Sequence, residues 1–198
     1  MIAPTDETSK IINLFDILEG EAMSQQLERE RTFLVKELPQ EIKTTKPTRI
    51  VDIYIPDTPA HSHLRLRQNG KTYEITKKTS VAAGDASEHV EQTIPLTEEE
   101  FTALSHCSAK RVAKDRYRVV IDGALAEIDV FIEDLAGLVL IDFEFDTEAE
   151  KNNFTPPSIA LADVTQEDFI AGGLLAGKTY DAIVPELARF CYKKLSKE

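Results

Sequence analysis

Alternation of apolar and polar residues with a period of two runs through most of the chain after Gln25. The segments RIVDIYIPD (49–57), HLRLRQNG (63–70) and KTYEITKKT (71–79) alternate and are rich in β-branched and aromatic residues, the pattern of half-buried strands. Asn69-Gly70 predicts a two-residue hairpin between the second and third. SVAAGDAS (80–87) reads as a polar loop and EHVEQTIPL (88–96) as another strand. In TEEEFTALSH (97–106), Thr97 and Glu100 have capping-box spacing, which predicts a helix. AKRVAKDRYRVVID (109–122), Gly123 and ALAEIDVFIED (124–134) predict a hairpin, and GLVLIDFEFDT (137–147) a further long strand.

Capping-box spacing recurs at Thr147/Glu150 and at Thr165/Asp168. It predicts a short helix before Pro156-Pro157 and a helical segment interrupted by Gly172-Gly173. A last helix is expected from Tyr180 to Lys194, with Ile183, Leu187, Phe190, Cys191 and Leu195 on its apolar stripe. At the other end, residues 1–24 stand apart as an N-terminal extension whose Ile11, Ile12, Leu14, Phe15 and Leu18 form a short amphipathic stripe. Residues 25–198 then make one domain, α+β but mainly β. About eight strands with a few helices suggest a closed antiparallel barrel with peripheral helices.

Composition narrows the function. The chain of 198 residues has 35 Asp and Glu against 23 Lys and Arg, a formal charge of −12, which argues against general nucleic-acid binding. Cys107 and Cys191 lie far apart with no metal-ligand spacing, so reduced thiols and a cytoplasmic location are expected. No apolar run reaches the length of a membrane span.

The polar faces of the strands carry the chemical signal. In LERERTFLV (27–35), Glu28 and Glu30 share one face and Arg29 and Arg31 the other. Arg65 and Arg67 share a face opposite Leu64 and Leu66, and Lys114, Arg116 and Arg118 one opposite Tyr117 and Val119. Glu127 and Asp129 oppose Ile128 and Val130, and Asp142 and Glu144 oppose Ile141 and Phe143. A solvated sheet face accounts for any single strand. Taken together, the charges are sorted by strand, some wholly basic and others wholly acidic. A barrel with these faces inward would set a cationic wall opposite an anionic one, suited to a polyanion and a divalent metal.

Seven blocks in order sharpen this: Glu28-x-Glu30 before Phe33-Leu34-Val35, Leu64-Arg65-Leu66-Arg67, Thr76-Lys77, and Glu91 before Ile94-Pro95-Leu96. Lys114-x-Arg116-Tyr117, Glu127-x-Asp129-x-Phe131, and Leu135 to Val139 running into Asp142-x-Glu144 follow. Over residues 26 to 180 the chain resembles the CYTH superfamily, the triphosphate tunnel metalloenzymes. The resemblance implies an eight-stranded tunnel that hydrolyses a small triphosphate with Mg2+ or Mn2+; inorganic triphosphate is favoured. Thiamine triphosphate hydrolysis and cyclisation of ATP are the other branches. It implies that Arg65, Arg67, Lys77, Lys114, Arg116 and Arg118 hold phosphate oxygens, with Lys178 closing the tunnel. Glu28, Glu30, Glu127, Asp129, Asp142 and Glu144 would hold metal, and Lys77, Arg116 and Glu91 would act in catalysis. A homodimer is compatible with this reading, which includes no nucleic-acid or membrane partner.

The chain departs from the family pattern at two positions. Thr32 stands where a lysine follows the paired glutamates, and Asp142 where glutamate is usual. Thr32 keeps open a second class of function, a barrel that captures a polyphosphate or nucleotide without hydrolysing it. Tyr73 and Phe131 are the only aromatic residues expected on inner faces.

Overall fold

The computed structural model describes residues 25–82 and 84–196. The amphipathic stripe expected within residues 1–24 lies outside them. The strands are β1 (Gln25–Val35), β2 (Thr48–Ile55), β3 (Leu64–Asn69), β4 (Thr72–Ser80), β5 (Glu88–Leu96), β6 (Arg111–Ile121), β7 (Ala124–Phe131), β8 (Val139–Glu144) and β9 (Ala160–Asp163). The helices are α1 (Glu98–Ser105), α2 (Glu148–Asn153), α3 (Gly172–Leu175) and α4 (Tyr180–Ala188). Strands run in the order β5-β4-β3-β2-β6-β7-β8-β1, and β1 pairs back with β5. Eight antiparallel strands therefore close into a barrel, with β9 added outside.

β9 was not expected from the sequence, and strand pairing explains it. β1 has eleven residues, and β5 covers one of its edges only from Gln25 to Arg29. β8 takes the opposite edge from Glu30 to Leu34, so the remaining stretch would leave bare backbone groups. β9 pairs there with Phe33 to Val35, after the chain has turned at Pro156-Pro157.

Turn chemistry sets the hairpins. Ile121 pairs with Ala124 across Asp122 and Gly123, both at positive φ, as a tight primed turn requires. The β3–β4 turn falls one residue later than expected. Asn69 itself pairs with Thr72, so Gly70 and Lys71 make the loop, with Gly70 at φ 61°.

The wall of the barrel is apolar on its outer side. Phe33, Tyr117, Val119, Ile128, Ile141 and Phe143 are buried there beneath Ile42, Phe154 and Ile159. α1, held by the expected Thr97/Glu100 capping box, covers Ile53 and Leu66 through Phe101. Tyr73 belongs to this outer layer, with its ring 5.0 Å from Phe101, rather than to the interior.

A separate core closes one end. Inward-pointing Leu34, Tyr54, Val112, Phe131 and Leu140 pack there against Val164, Phe169, Leu175, Ile183 and Leu187 from the C-terminal segment. Thr165 does not cap a helix. Its hydroxyl accepts from the Thr32 amide at 3.0 Å and donates to Asp163, and a 3-10 turn over Asp168–Ile170 replaces the expected helical start. α4 stops at Ala188, short of the expected Lys194. Cys191 adopts φ 55°, leaving it exposed, and Tyr192 turns back to donate to Gly137 O at 2.9 Å and accept from Val139 N at 2.8 Å.

Candidate active site

Alternation puts every second residue of each strand into the barrel, where a cavity of about 360 Å³ runs between them. Reading round the closed order, one half is built from β4, β3, β2 and β6. It presents Lys78, Arg65, Arg67, Lys114 and Arg116, together with Asp52. The other half, from β7, β8, β1 and β5, presents Glu127, Asp129, Asp142, Glu144, Glu28, Glu30 and Glu91. The charges sorted by strand in the sequence are thus sorted by half-barrel in space.

Strand register decides which lysine of the Lys77-Lys78 pair takes part. Arg65 stands opposite Thr76 and Leu66 opposite Ile75, so Thr76 and Lys78 point inward while Lys77 points outward and is exposed. Lys77 is therefore removed from the candidate site and Lys78 takes its place. Its ammonium lies 2.9 Å from Glu28 Oε2 and 3.0 Å from Glu30 Oε1, supplying the opposite charge that two neighbouring glutamates require. Burial opposes ionisation of Glu30, but Lys78 outweighs it and holds the carboxyl below its ordinary range.

At the β6–β7 seam Arg116 gathers the acids. Its Nε and Nη2 donate to the two oxygens of Asp129 at 2.7 Å each, its Nη1 donates to Glu127, and Asp142 lies 3.6 Å away. Lys114 also donates to Asp129. Asp129 is fully buried, which alone would raise its pKa, yet Arg116 and Lys114 drive it far below the usual carboxylate range. Arg67 forms a matching fork with Asp52 at 2.7 and 2.8 Å. Arg65 donates to Glu91 at 3.2 Å.

The acidic half is over-supplied. Asp142 is pushed up to about 7 by burial first and then by the charges of Asp129 and Glu30. Glu144 is raised by burial and by Glu127, Glu28 and Glu30. Thr32 donates to Asp142 at 2.7 Å, so a neutral hydroxyl occupies the place where a lysine was expected. On the strands, eight carboxylates face five cations in the cavity, and this surplus suits a hard cation with oxygen ligands. Among the described residues no three acidic, histidine or cysteine side chains converge as a ready-made metal group, because Lys78 and Arg116 hold the carboxylates instead.

Two further expected residues lie away from the cavity. Arg118 sits at the rim with its side chain 70% exposed, paired to Glu127, because β6 runs past the edge of the barrel there. Lys178 is exposed on the loop before α4 and does not line the tunnel. Conversely, Asp52, Tyr54, His89 and the segment from Thr165 to Gly173 line it without having been singled out. Asp52 and Tyr54 were legible in the alternation of RIVDIYI; residues 165–173 arrive only through the fold.

The CYTH domain profile matches residues 26–155. The chain is 35% identical over 142 residues to an inorganic triphosphatase of Nitrosomonas europaea, covering 71% of this chain and 90% of that one. A crystal structure of an inorganic triphosphatase superposes with TM-score 0.57 at 30% identity, covering 75% of this chain and 93% of the other. A second crystal structure, of a hypothetical protein, gives TM-score 0.57 at 31% identity over 77% and 99%. With an eight-stranded charged tunnel and a match over most of the barrel, this chain belongs to the CYTH domain family.

Proposed function

We propose that this protein hydrolyses a small triphosphate, most directly inorganic triphosphate, in the barrel with a divalent metal such as Mg2+ or Mn2+. The observation that carries the reading is the division of the cavity into a basic and an acidic half. Arginine forks recognise phosphate oxygens bidentately, and Arg65, Arg67 and Arg116 line one wall of a space about 360 Å³ in volume. The similarity to an inorganic triphosphatase supports this substrate class.

A triphosphate entering a cavity with excess carboxylates needs added positive charge. Glu28, Glu30, Asp142 and Glu144 would hold the ion, with Glu127 and Asp129 behind them. One or two of these carboxylates would suffice alongside water and phosphate oxygens. When bound, the ion would polarise phosphoryl oxygens and assist formation of the attacking nucleophile. Lys78 and Arg116 now neutralise the acids and would turn to the phosphates, freeing the carboxylates. Phosphoryl transfer demands mainly alignment and charge stabilisation, which charged side chains carried on the barrel strands would supply. Glu91 steadies Arg65 against the basic wall.

Phosphate release is measured from inorganic triphosphate, ATP and thiamine triphosphate with Mg2+ or Mn2+, beside a Glu28→Ala/Glu30→Ala double variant. Turnover of inorganic triphosphate, lost in the variant, is expected. Thr32 favours one second reading, a barrel that binds triphosphate without cleaving it. Protection against heat by triphosphate with no phosphate release would establish that reading instead.

A further inference from the structure

Arg65 differs from the other cations of the tunnel. Arg67 and Arg116 are fully forked onto carboxylates, whereas Arg65 makes a single 3.2 Å bond from Nη2 to Glu91. Its Nε is buried and has no hydrogen-bond partner. A buried unmet donor is costly, and its retention in a cavity wall calls for an acceptor supplied from outside the chain. Arg65 lines the cavity, where a bound anion would bring an oxygen to this donor.

What aims this donor lies directly across the strand pair. Tyr54 on β2 is the register partner of Arg65 on β3, so the two side chains stand beside one another on the cavity side, with the Tyr54 hydroxyl and the Arg65 guanidinium in electrostatic contact. The Tyr54 ring is buried, 7% exposed, in the core that closes this end of the barrel. Its hydroxyl is pressed against Gly172. A Cβ added there would overlap the Tyr54 oxygen and stand 2.8 Å from Cζ. Gly172 does not have the left-handed backbone that favours glycine, so space alone excludes a side chain. Gly173 is equally confined, since a Cβ there would overlap the Ser62 carbonyl and lie 2.6 Å from His61 Cδ2. The C-terminal segment is thus seated directly on the group that orients Arg65.

We propose that Tyr54, clamped by Gly172, is a positioning residue that holds the Arg65 Nε ready for a phosphate oxygen of the substrate. This rests on the triphosphatase reading. It assigns the Gly172-Gly173 pair, outside the matched CYTH region of residues 26–155, a part in substrate binding.

The test compares wild type, Tyr54→Phe, Gly172→Ala and the double variant with inorganic triphosphate and Mg2+. It records KM, kcat, and the melting temperature with and without triphosphate. Tyr54→Phe keeps the ring and removes the oxygen. KM is expected to rise severalfold, because the guanidinium loses the polar neighbour that sets its direction. kcat should stay within about twofold, as for uniform binding. Triphosphate should also raise the melting temperature less than in wild type. Gly172→Ala should raise KM by displacing the hydroxyl, and should add little in the Tyr54→Phe background, because both changes act through one oxygen. An unchanged KM in Tyr54→Phe, with wild type turning over, overturns the proposal and leaves the triphosphatase reading intact. So do effects that simply multiply in the double variant. A wild type that neither turns over nor is protected by triphosphate removes the functional reading and this proposal with it. If Gly172→Ala does not fold, Tyr54→Phe alone decides.

Discussion

Lys78 shows how much one position along a strand matters. It bridges Glu28 and Glu30, while its neighbour Lys77 faces water. Lys77→Ala should therefore leave kcat/KM within about twofold, as for exposed surface changes. Lys78→Ala should lower it by about a hundredfold, the scale of losing an electrostatic stabiliser in a closed site. Steady-state phosphate release from inorganic triphosphate checks both. Asp52 makes the case for stability. It is 1% exposed and forked to Arg67, so Asp52→Asn strands a buried guanidinium and should cost about 3–5 kcal/mol, measured by urea denaturation. Burial resists ionisation of Asp52, but Arg67 overrides it and sets the folded pKa far below the ordinary value. The unfolded chain therefore binds this proton first as pH falls. The stabilisation is complete above about pH 4, the unfolded value, and declines below it towards the folded pKa. Asp52→Asn should flatten that acid limb, and a wild-type-like slope between about pH 4 and 2 would exclude this assignment.

At the scale of elements, pairing and capping rules act locally, and their effects are separable. The Thr97/Glu100 capping box on α1 satisfies two terminal amides, at 2.8 and 3.2 Å, far from the cavity. Thr97→Ala should lower stability by about 1 kcal/mol with no change in kcat, read from thermal melts and phosphate release. The same spacing at Thr165 and Asp168 forms no cap, because Thr165 is committed to the Thr32 amide. A sequence motif offers a local partner, and a tertiary hydrogen bond at a buried edge took precedence. β9 is the complementary case. Four residues with weak strand character, Ala160 to Asp163, become a strand because β1 leaves an unpaired edge beyond Arg29 on the side that β5 vacates. α4 ends early for a similar reason, its terminal residues being drawn back to the start of β8 through Tyr192.

For the whole molecule, the excess of acids over bases in the tunnel would couple metal and substrate in the proposed reaction. Removing divalent metal with a chelator should abolish turnover without unfolding the barrel, since the carboxylates then rest on Lys78 and Arg116. Mg2+ with triphosphate should raise the melting temperature more than the sum of their separate effects, as expected when each supplies charge the other needs. Thermal melts with neither, either and both decide this, and additive shifts would contradict the coupling. The sequence by itself determined the barrel class, most strand boundaries and the charged inner faces. Side-chain alternation with period two is a local geometric fact that needs no knowledge of neighbouring strands. It also contained Asp52, Tyr54 and Lys78, once the phase of each strand is read from the arginines opposite. The tertiary structure alone decided the closure of β1 onto β5, which charged strands became neighbours and the covering of β1 by β9. It also decided the seating of Gly172 on Tyr54. These depend on which strands become neighbours and on the space left between distant segments, and no local pattern of residues encodes either.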